Sequence, residues 1–251
     1  MPFTIHASIG QQTGLRKCSA KSACNDVIYC RNTPTLFFYG LADGQGNQQF
    51  GTTGGSVALH AVAAYIQETG LSAIMEYPFP DEIPFLLTRV FRKALHSLAQ
   101  QHGHPFSEYA STILGITIDP LSGNYLVIHL GDGCAIGIHN NHSAMILSPP
   151  ENSYSKEYTW LTTSDYAVSH LRISCGNIQN FQRLVLLTDG ATPLCHGKNI
   201  SSRAKKLLAG EDPHQLLNAL KRTHPYDDAS CIVLDIRFQR DLEYTRPHET
   251  E

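Results

Sequence analysis

The chain has 251 residues, 42% of them hydrophobic, with a net charge of −3 and only 16% charged side chains. That length fits one large domain with a substantial core rather than two small ones. The near-neutral balance, without any lysine–arginine block, argues against a nucleic-acid surface, and no apolar stretch approaches the roughly 20 residues that cross a bilayer.

The first residues, Met1 to His6, lack a basic region followed by a long apolar segment, so no signal peptide is expected. The seven cysteines are scattered and odd in number, which reads as reduced thiols and a cytoplasmic location, with export by a signal-less route left open. Cys18, Cys24 and Cys30 are evenly spaced, but not in the close pairs of a zinc site. The thirteen histidines form no HExxH-type cluster.

In chain order, residues 3–10 read as an opening strand, 14–22 as a polar, basic irregular segment, and 27–30 and 35–41 as a hairpin pair of strands. A helix opens at Thr52-Thr53-Gly54-Gly55 and runs through Glu68, with Val57, His60, Ala61, Ala64 and Tyr65 expected on its buried face. After the breaks at Pro78 to Pro84, a second helix spans about 83–101, with an apolar stripe of Phe85, Leu86, Val90, Leu95 and Leu98. Strand periodicity returns at 112–119, 125–130, 134–139 and 143–147. Residues 152–165 read as loop or short helix, and Trp160 and Tyr158 within them as packing residues. Residues 171–180 follow as strand and turn. The continuously apolar 184–187 predicts a central strand buried on both faces. Helices are expected over 201–209 and from Asp212, where Pro213 takes the first helical position, with Leu216, Leu217 and Leu220 inward. A last strand covers 231–236, and 239–251 is a charged tail beyond a domain of residues 1–238. Strands arriving in hairpin groups fit two face-to-face antiparallel sheets with helices outside, an α+β architecture, better than separate βαβ units. His60 and His129, inside predicted elements, read as satisfied core histidines, and Lys205-Lys206 and Lys221-Arg222 as solvated helix faces.

Four acidic stops recur along this pattern: Asp43-Gly44, Asp132-Gly133 and Asp189-Gly190 each follow an apolar strand, and Asp227-Asp228 precedes the last one. Asp-Gly pairs are also ordinary turn formers. Three of them plus an acid pair, all abutting strands, point instead to oxygen ligands for a hard divalent cation. If the last strand runs antiparallel to the other three, all four acids meet at one sheet edge. Asp26 and Asp43, at adjoining ends of a predicted antiparallel pair, would lie side by side.

The motifs Leu41-Ala42-Asp43-Gly44-Gln45-Gly46, Ser111-Thr112, His129-Leu130-Gly131-Asp132-Gly133, Leu187-Thr188-Asp189-Gly190 and Asp227-Asp228-Ala229-Ser230 stand in the order of those of another group of proteins. Over roughly residues 6–238, the chain resembles the metal-dependent serine/threonine protein phosphatases of the PP2C (PPM) family, in a divergent bacterial-type form. The resemblance implies a four-layer α-β-β-α sandwich. It implies two Mn2+ or Mg2+ ions bound by Asp43, the Gly44 carbonyl, Asp189 and Asp227, with Asp43 bridging. Asp132, with Asp189, would hold a weaker third ion, to which Asp165 is a further candidate ligand. Asp26 would support the metal–water network, and Asp228 takes the place of a family Asn/Asp beside the ligand.

The implied activity is hydrolysis of phosphoserine or phosphothreonine in protein substrates, by a monomer with no membrane or nucleic-acid partner. Two cations can activate a water for in-line attack on phosphorus and neutralise charge on its oxygens, with no cysteine or serine nucleophile needed. The sequence departs from the family at four positions. Lys21 stands where relatives carry a phosphate-gripping arginine, Cys24 where they carry asparagine, Gln45 where some carry histidine, and Asn47 where glycine is usual. Lysine lacks arginine's two-pronged grip, so Lys21, with Arg16 as a substitute, is the candidate phosphate ligand. These departures keep two alternatives open: a catalytically weak relative that binds a phosphoprotein or regulatory partner, and a hydrolase of small phosphate esters.

Overall fold

Period-two alternation sorts nearly every strand onto an inner and an outer face. The computed structural model describes residues 3–15, 23–152, 159–196, 199–200, 208, 216, 218–219 and 227–238. Its elements are β1 (Phe3–Gln12), β2 (Asp26–Asn32), β3 (Phe37–Asp43), α1 (Gly51–Thr69), α2 (Leu71–Met75), α3 (Ile83–His102), β4 (Ile113–Ile118), β5 (Asn124–Leu130), β6 (Cys134–His139), β7 (Ala144–Ser148), α4 (Ala167–His170), β8 (Arg172–Asn177), β9 (Phe181–Leu187), β10 (Cys195–His196), β11 (Asn199–Ile200) and β12 (Ala229–Phe238). Two five-stranded sheets run β1-β12-β9-β6-β7 and β2-β3-β4-β5-β8, and β10 and β11 form a small separate ribbon. Every pairing is antiparallel.

Tyr39, Leu41, Leu114, Ile116 and Val127 of one sheet meet Leu184, Leu186, Ile232 and Leu234 of the other in a single inter-sheet core. The alternate residues face outward. Phe38, Ala42, Leu126 and Ile128 pack under α1 and α3, while Val185, Leu187, Cys231 and Val233 pack against Leu208 and Leu216 on the opposite side. The architecture is therefore two antiparallel sheets flanked by helices, the sandwich expected from the hairpin grouping. β9 lies between β12 and β6, and Leu184, Val185, Leu186 and Leu187 are all buried, as their unbroken apolar run predicts. No helix among the described residues is long and apolar enough to cross a membrane.

Both long helices form where expected, but their buried faces differ from the sequence reading. α1 buries Gly51, Gly54, Gly55, Ala58, Leu59, Val62, Ala63 and Ile66, whereas His60 is exposed and contacts the Tyr29 hydroxyl through Nδ1 at 3.3 Å. α3 buries Ile83, Leu87, Thr88, Phe91, Leu95 and Ala99, and leaves Phe85 47% exposed. The cause is steric. α1 rests on the sheet where Gly40 pairs with Gly115, and a Cβ on Gly55 would come 2.7 Å from that of Ala42. The smallest residues of the helix, not the largest apolar ones, make this contact.

His129 is a core histidine, as expected, but only half satisfied: Nδ1 lies 2.8 Å from the Ser148 hydroxyl, while the buried Nε2 has no partner among the described residues. Trp160 packs into the core stacked on His170 at 3.8 Å. The ribbon and the one-turn α4 were not foreseen. Arg16, Lys21, Tyr158, most of the two helices expected over 201–222 and the tail 239–251 lie outside the described residues.

Candidate active site

The topology brings the acidic stops to one edge. β3 and β5 both pair antiparallel with β4, so they run in the same direction and deliver Asp43 and Asp132 to the same side. β2 runs against β3 in a register that sets Asp26 directly opposite Asp43. In the second sheet Leu187 of β9 pairs with both Cys231 of β12 and Cys134 of β6. Asp189, Asp227 and Asp132, a few residues from those partners, therefore leave the sheet at the same end.

Backbone contacts fix this edge. Thr112 clamps Asp43: its Oγ1 accepts from the Asp43 N–H at 2.9 Å, and its own N–H donates to the Asp43 carbonyl at 2.9 Å. Gly44 donates to the Asn25 carbonyl at 3.2 Å, and a Cβ there would lie 2.5 Å from the Thr52 nitrogen. Only glycine lets the chain turn so close to the start of α1. Gly190 is equally constrained, since a Cβ would meet the Asp228 carbonyl oxygen at 2.0 Å.

Asp228 is buried, and its carboxylate accepts from the Gly14 N–H at 2.9 Å and the Asn25 N–H at 2.6 Å. It acts as a brace tying three chain segments, with both oxygens engaged. Thr188 Oγ1 donates to Asp26 Oδ2 at 2.9 Å and accepts from the Ser230 N–H at 2.8 Å, joining the two sheets beneath the acids.

Electrostatics reports the same convergence. Burial, then the charges of Asp26, Asp189, Asp227 and Asp132, pushes the Asp43 carboxyl well above the usual range. Burial, followed by Asp132, Asp227 and Asp26, pushes Asp189 up to about 7. Asp132 is raised chiefly by burial, while Arg172 draws it back down. Clustered like charges with little solvent favour whatever neutralises them, protons or a divalent cation. The donors are hard oxygens, the set that fits Mg2+ or Mn2+.

Among the described residues, one trio has potential ligand atoms all within 4.8 Å of one another: Cys24, Asp26 and Asp228. The charges of Asp189 and Asp227 both raise Asp43, but these three form no such trio. Burial, reinforced by Asp26, holds the Cys24 thiol up at about 12, so it bears a proton against these acids. A thiol must lose that proton to ligate a metal.

Of the other candidates, Asp165 lies 3.9 Å from the Arg92 guanidinium with its side chain 96% exposed, and Lys21 and Arg16 fall outside the described residues. Sequence reasoning missed Arg172, which donates to the Gly131 carbonyl and to Glu151 Oε2, each at 2.7 Å, and so braces the loop carrying Asp132. It also missed the roles of Thr112 and Thr188. Thr188 sits inside the Asp189 motif, and its place between an apolar strand and that acid was the available signal. Arg172 and Glu151 lie in no local pattern.

A family model described as Protein phosphatase 2C matches residues 13–223. No curated protein matches the chain. Among solved structures, the serine/threonine phosphatase Stp1 from Staphylococcus aureus superposes with a TM-score of 0.70 at 16% identity, covering 93% of this chain and 96% of that one. RsbX, crystallised in complex with magnesium, gives 0.60 at 14% identity over 93% and 96% of the two chains. The catalytic domain of the serine threonine protein phosphatase PstP, in complex with 2 manganese ions, gives 0.61 at 14% identity over 93% and 99%. At such identities the likeness speaks for the fold, and the family model, which spans most of the chain, speaks for descent. The chain belongs to the protein phosphatase 2C family.

Proposed function

We propose that the chain is a metal-dependent serine/threonine protein phosphatase, with residues 1–238 as its catalytic domain. The observation that carries this reading is the single edge where burial and the charges of Asp26, Asp189, Asp227 and Asp132 raise the Asp43 carboxyl, and burial with Asp132, Asp227 and Asp26 raises Asp189. The crystallised relatives with magnesium and with 2 manganese ions support Mg2+ or Mn2+ as the partner of that edge. Asp43, the Gly44 carbonyl, Asp189 and Asp227 would hold two ions, and Asp132 with Asp189 a third. When bound, such ions supply Lewis acidity and activate water for attack on phosphorus.

The chain's own residues then have distinct tasks. Thr112 fixes the Asp43 backbone. Thr188 donates to Asp26 and so orients its carboxylate beside Asp43. Arg172 steadies the Asp132 loop. Lys21, with Arg16, is the proposed phosphate contact, and a phosphorylated protein the proposed substrate.

Release of phosphate from p-nitrophenyl phosphate and from a phosphothreonine peptide should require Mn2+ or Mg2+. Asp43→Asn or Asp189→Asn should lower kcat by on the order of 10²-fold or more, the scale of losing a principal electrostatic group. Full turnover in excess chelator would refute the proposal. The protonated Cys24 thiol, where relatives carry asparagine, favours one second reading, a non-catalytic binder of phosphoproteins. Tight phosphopeptide binding without turnover at saturating Mn2+ would select it.

A further inference from the structure

On the helical face of the molecule, α1, α3 and the turn at 165–168 enclose a cleft of about 630 Å3. We propose that this cleft docks an acidic peptide segment of a partner protein, anchored by an aromatic or branched side chain. Tyr65, Phe85 and Val168 give it apolar walls. Phe85 is 47% and Val168 38% exposed, so the cleft is open to solvent rather than closed over a small ligand.

Beneath them Thr88 is only 1% exposed, and its hydroxyl has no hydrogen-bond partner among the described residues. With its hydroxyl sealed from solvent, Thr88 closes the floor, and recognition falls to the walls and the rim.

The charge at the rim names the chemistry. Arg92 is already committed to the Ser164 carbonyl and to Asp165. Arg89 lies over the Phe85 ring, 5.6 Å from its centroid, and Lys93 forms no ion pair among the described residues. Phe85, Arg89 and Lys93 are spaced four apart, so they form one stripe along α3, a ring followed by two cations. On a chain of net charge −3, this local positive stripe beside an apolar slot is complementary to acids flanking an apolar anchor.

The site is separate from the acidic edge. Thr52 abuts Gly44, and Tyr65 stands thirteen residues farther along α1, about 20 Å at the helical rise. Docking here can therefore leave hydrolysis of a small ester untouched.

A displayed random-peptide library panned on the full-length protein tests this. Enriched peptides should pair Asp or Glu with Phe, Trp or Leu. The best synthetic binder should lose at least tenfold in affinity for Phe85→Ala and again for the double variant Arg89→Glu/Lys93→Glu. These side chains are exposed, so both variants should melt like the wild type and keep p-nitrophenyl phosphate turnover within twofold. Enrichment without an acidic bias, or affinity unchanged in both variants, would overturn the proposal. So would a preference for anionic phospholipid vesicles over the peptide, or equal occupancy by a synthetic peptide of residues 239–251. Turnover is read separately, so failure here is distinct from failure of the phosphatase reading.

Discussion

Asp43 and Asp189 hold their protons at pH values where ordinary carboxyls have lost them. Both are raised first by burial and then by neighbouring acids, whereas an unfolded aspartate titrates near about 4. Between that value and the folded one, about 7 for Asp189, the folded chain binds more protons than the unfolded chain. Stability of the metal-free protein therefore falls as pH rises through this window, and the loss from Asp189 is complete above it. A divalent cation displaces those protons, so its stabilising effect should be largest above pH 7 and fade as pH falls. Thermal melts with excess Mn2+ should show a larger rise in Tm at about pH 8 than at about pH 5.5. Equal rises at both would mean that the cation does not bind through these carboxylates. The aspartates themselves were legible in the sequence because each interrupts a strand. Their supports were not: Thr188 and Arg172 are ordinary strand-end polar residues until folding sets them beside Asp26 and the Gly131 carbonyl.

Among the elements, α1 decides how closely the helical layer approaches the sheet. Its glycines are poor helix formers, each costing up to about 1 kcal/mol relative to alanine, yet the helix runs from Gly51 to Thr69. Packing outweighs propensity here. A Cβ on Gly54 would sit 1.9 Å from the Tyr109 carbonyl oxygen, a backbone atom that cannot rotate away. Gly54→Ala should therefore destabilise by about 1–3 kcal/mol despite its better propensity, measured as a lower urea midpoint at unchanged m-value. A stabilised variant would show that α1 stands farther from the Tyr109 carbonyl than this contact requires. This same feature misled the sequence reading. α1 is apolar around most of its circumference, so periodicity alone favoured Val57 over its true buried face, while in α3 the expected stripe took in the exposed Phe85 beside the buried Leu87 and Phe91. The strands were easier, because 36–41, 125–130 and 184–187 are short, nearly unbroken apolar runs ending at turn residues, too short for helices and suited to strands buried on both faces.

At the scale of the whole molecule, two antiparallel sheets converge on one acidic edge, while the helical layer presents a basic, apolar cleft some 20 Å away. Hairpin grouping made the layered fold readable, and Leu208 and Leu216 cover the outer face of the second sheet at Val185 and Val233. The separation would let the proposed hydrolysis and the proposed docking vary independently, as the cleft variants and the acid variants would show in opposite assays. Anomalous diffraction from crystals soaked in Mn2+ tests the central claim most directly. Two peaks should appear among Asp43, Asp189, Asp227 and the Gly44 carbonyl. Crystals that bind no manganese there, or bind it only between Cys24, Asp26 and Asp228, would contradict the account.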